Sequence, residues 1–362
     1  MKLIAVFFSM LMLAPSVWAK AVSGLYDARV PVPDQQLQSR QQGAKQGFIE
    51  VLHKVSGFPV PAENEAIQRA LDIADQYLYQ YSYEAVEKDA WDETIPPGSS
   101  WLNMRFESKA IHRIIKQANL PLWGSNRPTV LLWAMVDENA RRVIIDSEDS
   151  VPFNAIQGAA EKRGIPVVLP LYDLEDSIRL PQESLWGLFA EPIKQASDRY
   201  EADSIAAVRL YQNAEGLWVG QWRFYFKERE YQFDFETIGL AEQMLAGLSA
   251  TGEVLANTYA IRPSDSRSDQ LKISVNGISD LKRYASVVKY LDKLSITKDV
   301  SVTYVKGDEI EVNVALNGTL AQFNQVLKLD KKLNQVEVEV INAPQSDLTN
   351  QQAQVLQFVW QP

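Results

Sequence analysis

The chain has 362 residues, 46% of them hydrophobic and 23% charged, enough for two or three ordinary globular domains. A net charge of −10 argues against nonspecific binding to nucleic acid or anionic lipid, both of which want a basic face. Cysteine is absent and there are only two histidines, His53 and His112, which removes thiol catalysis, cysteine-ligated zinc, iron–sulfur clusters and any three-histidine metal site within one chain.

Residues 1–19, MKLIAVFFSMLMLAPSVWA, set Lys2 ahead of an apolar run from Leu3 to Ala14. Pro15 ends the run, and Val17-Trp18-Ala19 offers a cleavage site. This is the pattern of a secretory signal peptide, too short and too early for an ordinary spanning helix. It predicts a soluble secreted chain starting at Lys20 or Ala21, with no integral membrane segment after cleavage.

An N-terminal α/β module is expected over residues 20–127. Leu25 to Val32 reads as a strand, and Leu37, Ala44, Phe48, Leu52 and Val55 form a helix stripe that Gly57 stops. A further helix follows Pro61. Tyr77 to Val86, rich in tyrosine, turns extended near its end. Trp101 to Phe106 alternates as a strand, and Ile111, Ile114, Ile115 and Ala118 give the next helix face. The order is βα(α)ββα.

A central three-layer α/β domain is expected over 128–261. It opens with the buried strand Thr129 to Val136 and its hairpin partner Arg141 to Ile145. A helix through Ile156, Ala159 and Ala160 ends at Gly164, and Ile165 to Leu171 reads as a second buried strand. Helices follow between Leu185 and Tyr200, then a strand from Ile205 to Leu210. Trp218, Trp222, Phe224 and Phe226 share one face of a strand, opposite Tyr231, Phe233 and Phe235. Leu240, Met244, Leu248 and Leu255 mark a closing helix. Alternating strands and helices imply an α/β layered unit.

Residues 262–269 are polar and turn-rich, a linker. From 270 to 341 the alternation of strands and helix stripes gives βαββαβ, a ferredoxin-like antiparallel sheet closed by Val336, Val338 and Val340. In the tail, 342–362, Val355, Phe358 and Trp360 predict docking.

Leu25-Tyr-Asp-Ala-Arg-Val-Pro-Val32, Leu52-His-Lys-Val-Ser-Gly57 and Gln80-Tyr-Ser-Tyr-Glu84 resemble a family of uncharacterised gammaproteobacterial secreted proteins, domain of unknown function DUF2066. Leu120-Pro-Leu-Trp-Gly-Ser-Asn-Arg-Pro128, Leu169-Pro-Leu-Tyr-Asp-Leu-Glu-Asp176, Trp186-Gly187 and Arg199-Tyr-Glu-Ala-Asp203 look like it too. The central module is also similar to the TolB N-terminal domain of envelope proteins. The resemblance implies a periplasmic location and no defined activity.

Asp173, Glu175 and Asp176 form the densest acidic cluster, behind a strand end where α/β ligand sites often lie. Three carboxylates suit a divalent cation; a helix cap is the favoured reading. Trp123, Asn126 and Arg127 sit in a Pro/Gly-rich junction between modules, either as contact anchors or as a seam, with Arg127 pairing a carboxylate such as Asp173. The aromatic stripe at Trp218–Phe226 suits sugar stacking or, preferably, sheet core, and the tyrosines from Tyr77 to Tyr83 are open to the same two readings. Neither histidine sits in a catalytic pattern, and Gly-x-Ser-x-Gly, phosphate-loop and dinucleotide motifs are missing from the sequence.

The expected function is a non-enzymatic protein–protein interaction or scaffolding factor of the periplasm, with an envelope protein as partner, no nucleic acid and no cofactor. A metal-dependent hydrolase or ligand-binding protein using Asp173, Glu175 and Asp176 is the first alternative. A glycan- or peptidoglycan-binding module using exposed aromatics is the second.

Overall fold

The computed structural model describes residues 22–86, 95, 97–138, 141–146, 150–262, 270–336 and 355–361. The expected signal peptide, most of the linker, Val338, Val340 and the first part of the tail lie outside the described residues. The architecture is mixed α/β, with three sheets and ten α-helices among the described residues.

The first sheet joins β1 (Asp27–Val32), β2 (Leu78–Ala85) and β3 (Ser100–Phe106), antiparallel in the order β1-β3-β2. Alternation puts Val30, Val32, Leu102, Met104 and Phe106 on one face. Against them lies the stripe Ala44, Phe48, Val51, Leu52 and Val55 of α1 (Leu37–Ser56). Each large side chain fully buried here contributes about 1.5–3 kcal/mol. Gly57 ends α1 at φ +76, a left-handed conformation that closes a bond from its N–H to His53 O at 2.8 Å. Helices α2 (Glu65–Leu71) and α3 (Ser108–Gln117) complete this core.

The second sheet is built around β4 (Val130–Glu138), flanked by β5 (Arg141–Ile144). Behind β5 the chain runs through α4 (Val151–Arg163), β6 (Val167–Val168), α5 (Leu174–Arg179), α6 (Gln182–Trp186) and α7 (Ala190–Ser197). It continues into β7 (Ser204–Gln212), β8 (Trp218–Phe226), β9 (Arg229–Thr237) and α8 (Leu240–Tyr259). The order is β5-β4-β7-β8-β9, with β6 also on β4, and β4 runs parallel to both β6 and β7. A strand covered on both faces is apolar at every position. Accordingly Leu132, Ala134 and Val136 face α4 and α8, while Leu131, Trp133 and Met135 pack with Leu180, Leu185 and Ile193 of the α5–α7 side.

The strand expected over Ile165 to Leu171 is only two residues long. Pro166 and Pro170 flank it and have no N–H for a ladder, and Leu171 has left the sheet, 73% exposed.

The third sheet contains β10 (Gln270–Asn276), β11 (Thr297–Lys306), β12 (Glu309–Leu316), β13 (Leu333–Gln335) and β14 (Leu356–Trp360), with α9 (Leu281–Lys293) and α10 (Leu320–Asp330). Its order, β11-β12-β10-β14-β13, differs from the expected four antiparallel strands. The tail strand β14 inserts beside β10 and runs parallel to it, displacing the strand after α10 to the edge. Phe358 and Trp360 explain the insertion: they alternate onto the core face and are 1% and 5% exposed, whereas Val336 is 40% exposed.

Candidate functional site

The junction loop is organised by Arg127, 2% exposed. Its guanidinium has five N–H donors. Nε donates to Gly124 O at 2.9 Å, Nη1 to Arg163 O at 3.0 Å and Gly164 O at 2.9 Å, and Nη2 to Lys54 O at 2.7 Å and Trp123 O at 3.0 Å. The plane stacks 4.0 Å from the centroid of Trp123. Two of those carbonyls, of Lys54 and Arg163, belong to the last turns of α1 and α4, where helices leave acceptors unbonded and carry partial negative charge, and a third is that of Gly164, which caps α4. Burial lowers the Arg127 pKa to about 9, so the group stays charged at neutral pH. The expected pairing with Asp173 is therefore wrong: every donor goes to the main chain.

The same loop is tied on three sides. Trp123 N–H donates to Val55 O at 2.8 Å, Leu122 and Ile261 exchange two bonds of 2.9 Å, and Asn126 Nδ2 reaches Val326 O of α10 at 3.5 Å. Gly164, at φ +63, lies against Arg127: an added Cβ would meet Nη1 at 2.9 Å. Lys54, buried beside this loop, donates to Asp27 O at 2.8 Å. It also lies 3.8 Å from Glu50 one turn back, and the tie to the chain before β1 could not be read from the sequence, because the partner there is a carbonyl.

Asp173 caps α5, accepting from Asp176 N–H at 3.0 Å. Arg199 Nη1 approaches Asp173 Oδ1 at 2.8 Å, Asp176 Oδ1 at 3.2 Å and Glu175 Oε2 at 3.6 Å. Tyr200 OH donates to Asp176 Oδ2 and accepts from Leu171 N–H at 2.9 Å. The Arg199 hydrogen bond, then the Asp176 N–H, hold the Asp173 carboxyl below its usual range. Burial, then Asp176, push the Tyr200 hydroxyl up. The structure thus brings the three predicted carboxylates together, but around an arginine. Among the described residues no set of three histidine or carboxylate side chains is arranged to hold a metal ion.

Above this network the sequence reading missed an apolar corner. Leu171, Leu174 and Ile178 are 73%, 76% and 70% exposed, and Leu174 and Ile178 share a face of α5 at i and i+4. The available signal was the apolar residues spaced between the acids of this segment.

The aromatic stripe is core: Trp222, Phe224 and Phe226 are buried against Met244 and Leu248 of α8. Trp218, Tyr231, Phe233 and Phe235 pack at its margin. Among the tyrosines, Tyr79 and Tyr81 are exposed, and Tyr81 OH accepts from Arg40 at 2.9 Å. His53 is half-buried on α1, and His112 Nε2 lies 2.7 Å from Tyr26 OH. No helix among the described residues is long and apolar enough to cross a membrane.

Residues 19–124 match the model of a family described as a domain of unknown function, DUF8605. This overturns the resemblance to DUF2066, and nothing supports likeness to the TolB N-terminal domain. The peptides behind that resemblance are framework: Gly57 stops a helix, Arg127 bonds helix ends, and Asp176 with Tyr200 fixes a turn. No curated protein matches the chain. A solved structure, selenomethionine-substituted Kluyveromyces lactis allophanate hydrolase, matches at 10% identity over 73% of this chain and 62% of that one, under two thirds of its length. The TM-score is 0.17, too low to carry any argument about fold or chemistry.

Proposed function

We propose that this protein is a secreted periplasmic factor, non-enzymatic, that acts by binding an envelope protein through the corner at Leu171, Leu174 and Ile178. The observation that carries this reading is the exposure of three large aliphatic side chains on a turn that Arg199, Tyr200 and Asp176 hold in place. Ordered apolar groups lose little conformational freedom on docking, so their burial goes into affinity. The half-exposed Asp173 and Glu175 beside them favour a partner with basic groups around an apolar face.

On this reading the chain is three units in series: a βα(α)ββα module, a three-layer α/β domain and a ferredoxin-like variant completed by the tail strand. They serve as a frame for the corner. Secretion rests on the apolar run between Lys2 and Pro15.

The test is a photo-crosslinking residue at position 174 of the full chain expressed in its native envelope. A discrete adduct is expected, lost in the Leu171→Ser/Ile178→Ser variant while the melting temperature is unchanged. An absent adduct, or one insensitive to those substitutions, would refute the binding role. Intact mass of the exported protein checks secretion, and retention of residues 1–19 would refute it.

A further inference from the structure

The edges of the three sheets are not alike. Among the described residues the sheets end in β1, β2, β5 with β6, β9, β11 and β13. An edge strand presents unpaired N–H and C=O groups that template pairing with another chain, and proteins blunt it with prolines, lysines, bulges or shortness. β1 carries Pro31, and β2 breaks register between Leu78 and Gln80. β5 is four residues long, β6 two and β13 three. β11 breaks register at Thr297/Asp299 and at Val302/Tyr304, and it bears Lys298 and Lys306.

β9 has none of these guards. Its nine residues pair with β8 from Arg229↔Phe226 to Thr237↔Trp218 without a break, and it holds no proline or lysine. No described strand pairs with its other side. That side is a straight row of main-chain donors and acceptors.

The two faces of β9 say what fits there. Tyr231, Phe233 and Phe235 alternate onto the face toward α8 and are only half-buried, at the margin of the core. Glu230, Gln232, Asp234 and Glu236 alternate onto the other face and are exposed. Glu230 lies 3.6 Å from Arg223, but Asp234 and Glu236 have no ion pair among the described residues. A second copy pairing edge to edge would set acid against acid, which destabilises cross-strand pairs. A strand with aliphatic residues on one face and cations on the other complements both faces of β9.

We propose that β9 receives an extended basic peptide segment as an added strand, with Lys or Arg alternating with aliphatic residues. Main-chain hydrogen bonds along the edge supply affinity, the aliphatic side chains cover Phe233 and Phe235, and the cations pair with Asp234 and Glu236. None of these residues belongs to the corner at Leu171, so either surface can fail its test without the other.

The full chain is titrated by calorimetry with the end-blocked peptide KVKVKVK and with its isomer KKKKVVV, which keeps the charge and loses the alternation. Hydrogen exchange follows residues 230–236. The alternating peptide is expected to bind about tenfold tighter than the isomer and to slow exchange at alternate residues of that stretch. N-methylation of one alternate set of peptide nitrogens should abolish binding and of the other set should leave it, since a strand pairs through one edge at a time. Asp234→Lys/Glu236→Lys, at two exposed positions, should weaken KVKVKVK about tenfold with unchanged melting, and should admit EVEVEVE instead. No binding at millimolar concentration, equal binding of the isomer, equal effects of the two methylation patterns, or indifference to the charge reversal would each overturn the assignment. So would exchange already slow at every residue of 230–236 in the free chain: in a monomer the edge is then covered by the chain itself, and in a dimer by a second copy.

Discussion

Arg127 gives all five of its donors to main-chain carbonyls and is 2% exposed, whereas Arg199 faces solvent and gathers Asp173, Glu175 and Asp176 around one nitrogen. The first is neutralised by the ends of α1 and α4, the second by carboxylates. A carboxylate pairs with any nearby cation, and water replaces it readily at a surface. Two helix ends aimed at one point cannot be re-aimed, so the buried arginine fixes how α1 and α4 meet. Of two arginines, one is architecture and the other holds a turn.

The sharpest way to break this contrast is Arg127→Met. It keeps much of the volume and strands Lys54, Arg163 and Gly164 carbonyls in the interior. Loss of about 3–5 kcal/mol is expected, the range for removing one member of a buried charged network. Arg127→Lys recovers only part of it, since an ammonium has three donors and no planar fork. Urea unfolding measures both. A loss below about 1 kcal/mol would mean that water serves those carbonyls equally well.

Next in size is Asp176→Ala. Asp176 is the one member of the Arg199 cluster with no exposed side chain, and it accepts from both Arg199 and Tyr200. Removing it should cost about 1.5–3 kcal/mol, the value of hydrogen bonds to a charged group. Arg199→Ala in the same background should add little if the network acts as a unit, which a double-mutant cycle in urea will show.

These two sites also show what could be read in the sequence. Gly57 and Gly164 announced helix stops, and Asp173 announced a cap, because each signal depends on one residue and its neighbours. Arg127 was visible as a candidate and its role was not. Its partners are carbonyls at positions 54, 163 and 164, and a carbonyl has no residue type to recognise. The tail repeats the lesson. Val355, Phe358 and Trp360 marked a tail that docks, but that it does so as a strand beside β10, parallel to it, is a long-range pairing that local alternation does not encode.

The junction should also respond to acid. Burial, with Arg163 nearby, pulls the His53 imidazole from its usual 6.5 down to about 4. The unfolded chain therefore binds more protons between those values, and stability present above about pH 6.5 is lost as the pH falls toward about 4. Allowing for partial exposure, roughly 2 kcal/mol is at stake. Glu50, raised by burial, acts in the opposite sense as the pH climbs through the carboxylate range. His53→Gln should flatten the slope of stability against pH above that range. An unchanged slope would show that His53 is protonated alike in both states.

The smallest effect should come from Glu175→Gln. Glu175 meets Arg179 one turn away at 2.9 Å, with side chains 49% and 46% exposed, and stands 3.6 Å from Arg199. Water screens such a pair, and ordering two long side chains offsets most of the attraction, so about 0.5 kcal/mol or less is expected. Molar salt should erase even that difference while leaving the Arg127→Met loss in place, because ions cannot enter the buried site. The salt comparison separates burial from charge count: both arginines have several partners, and only the one withdrawn from solvent should be indifferent to ionic strength. A loss above about 1.5 kcal/mol for Glu175→Gln would show that the three carboxylates are coupled through Arg199. The surface cluster would then be a structural unit in its own right, and the apolar corner above it would be anchored far more strongly than its exposure implies.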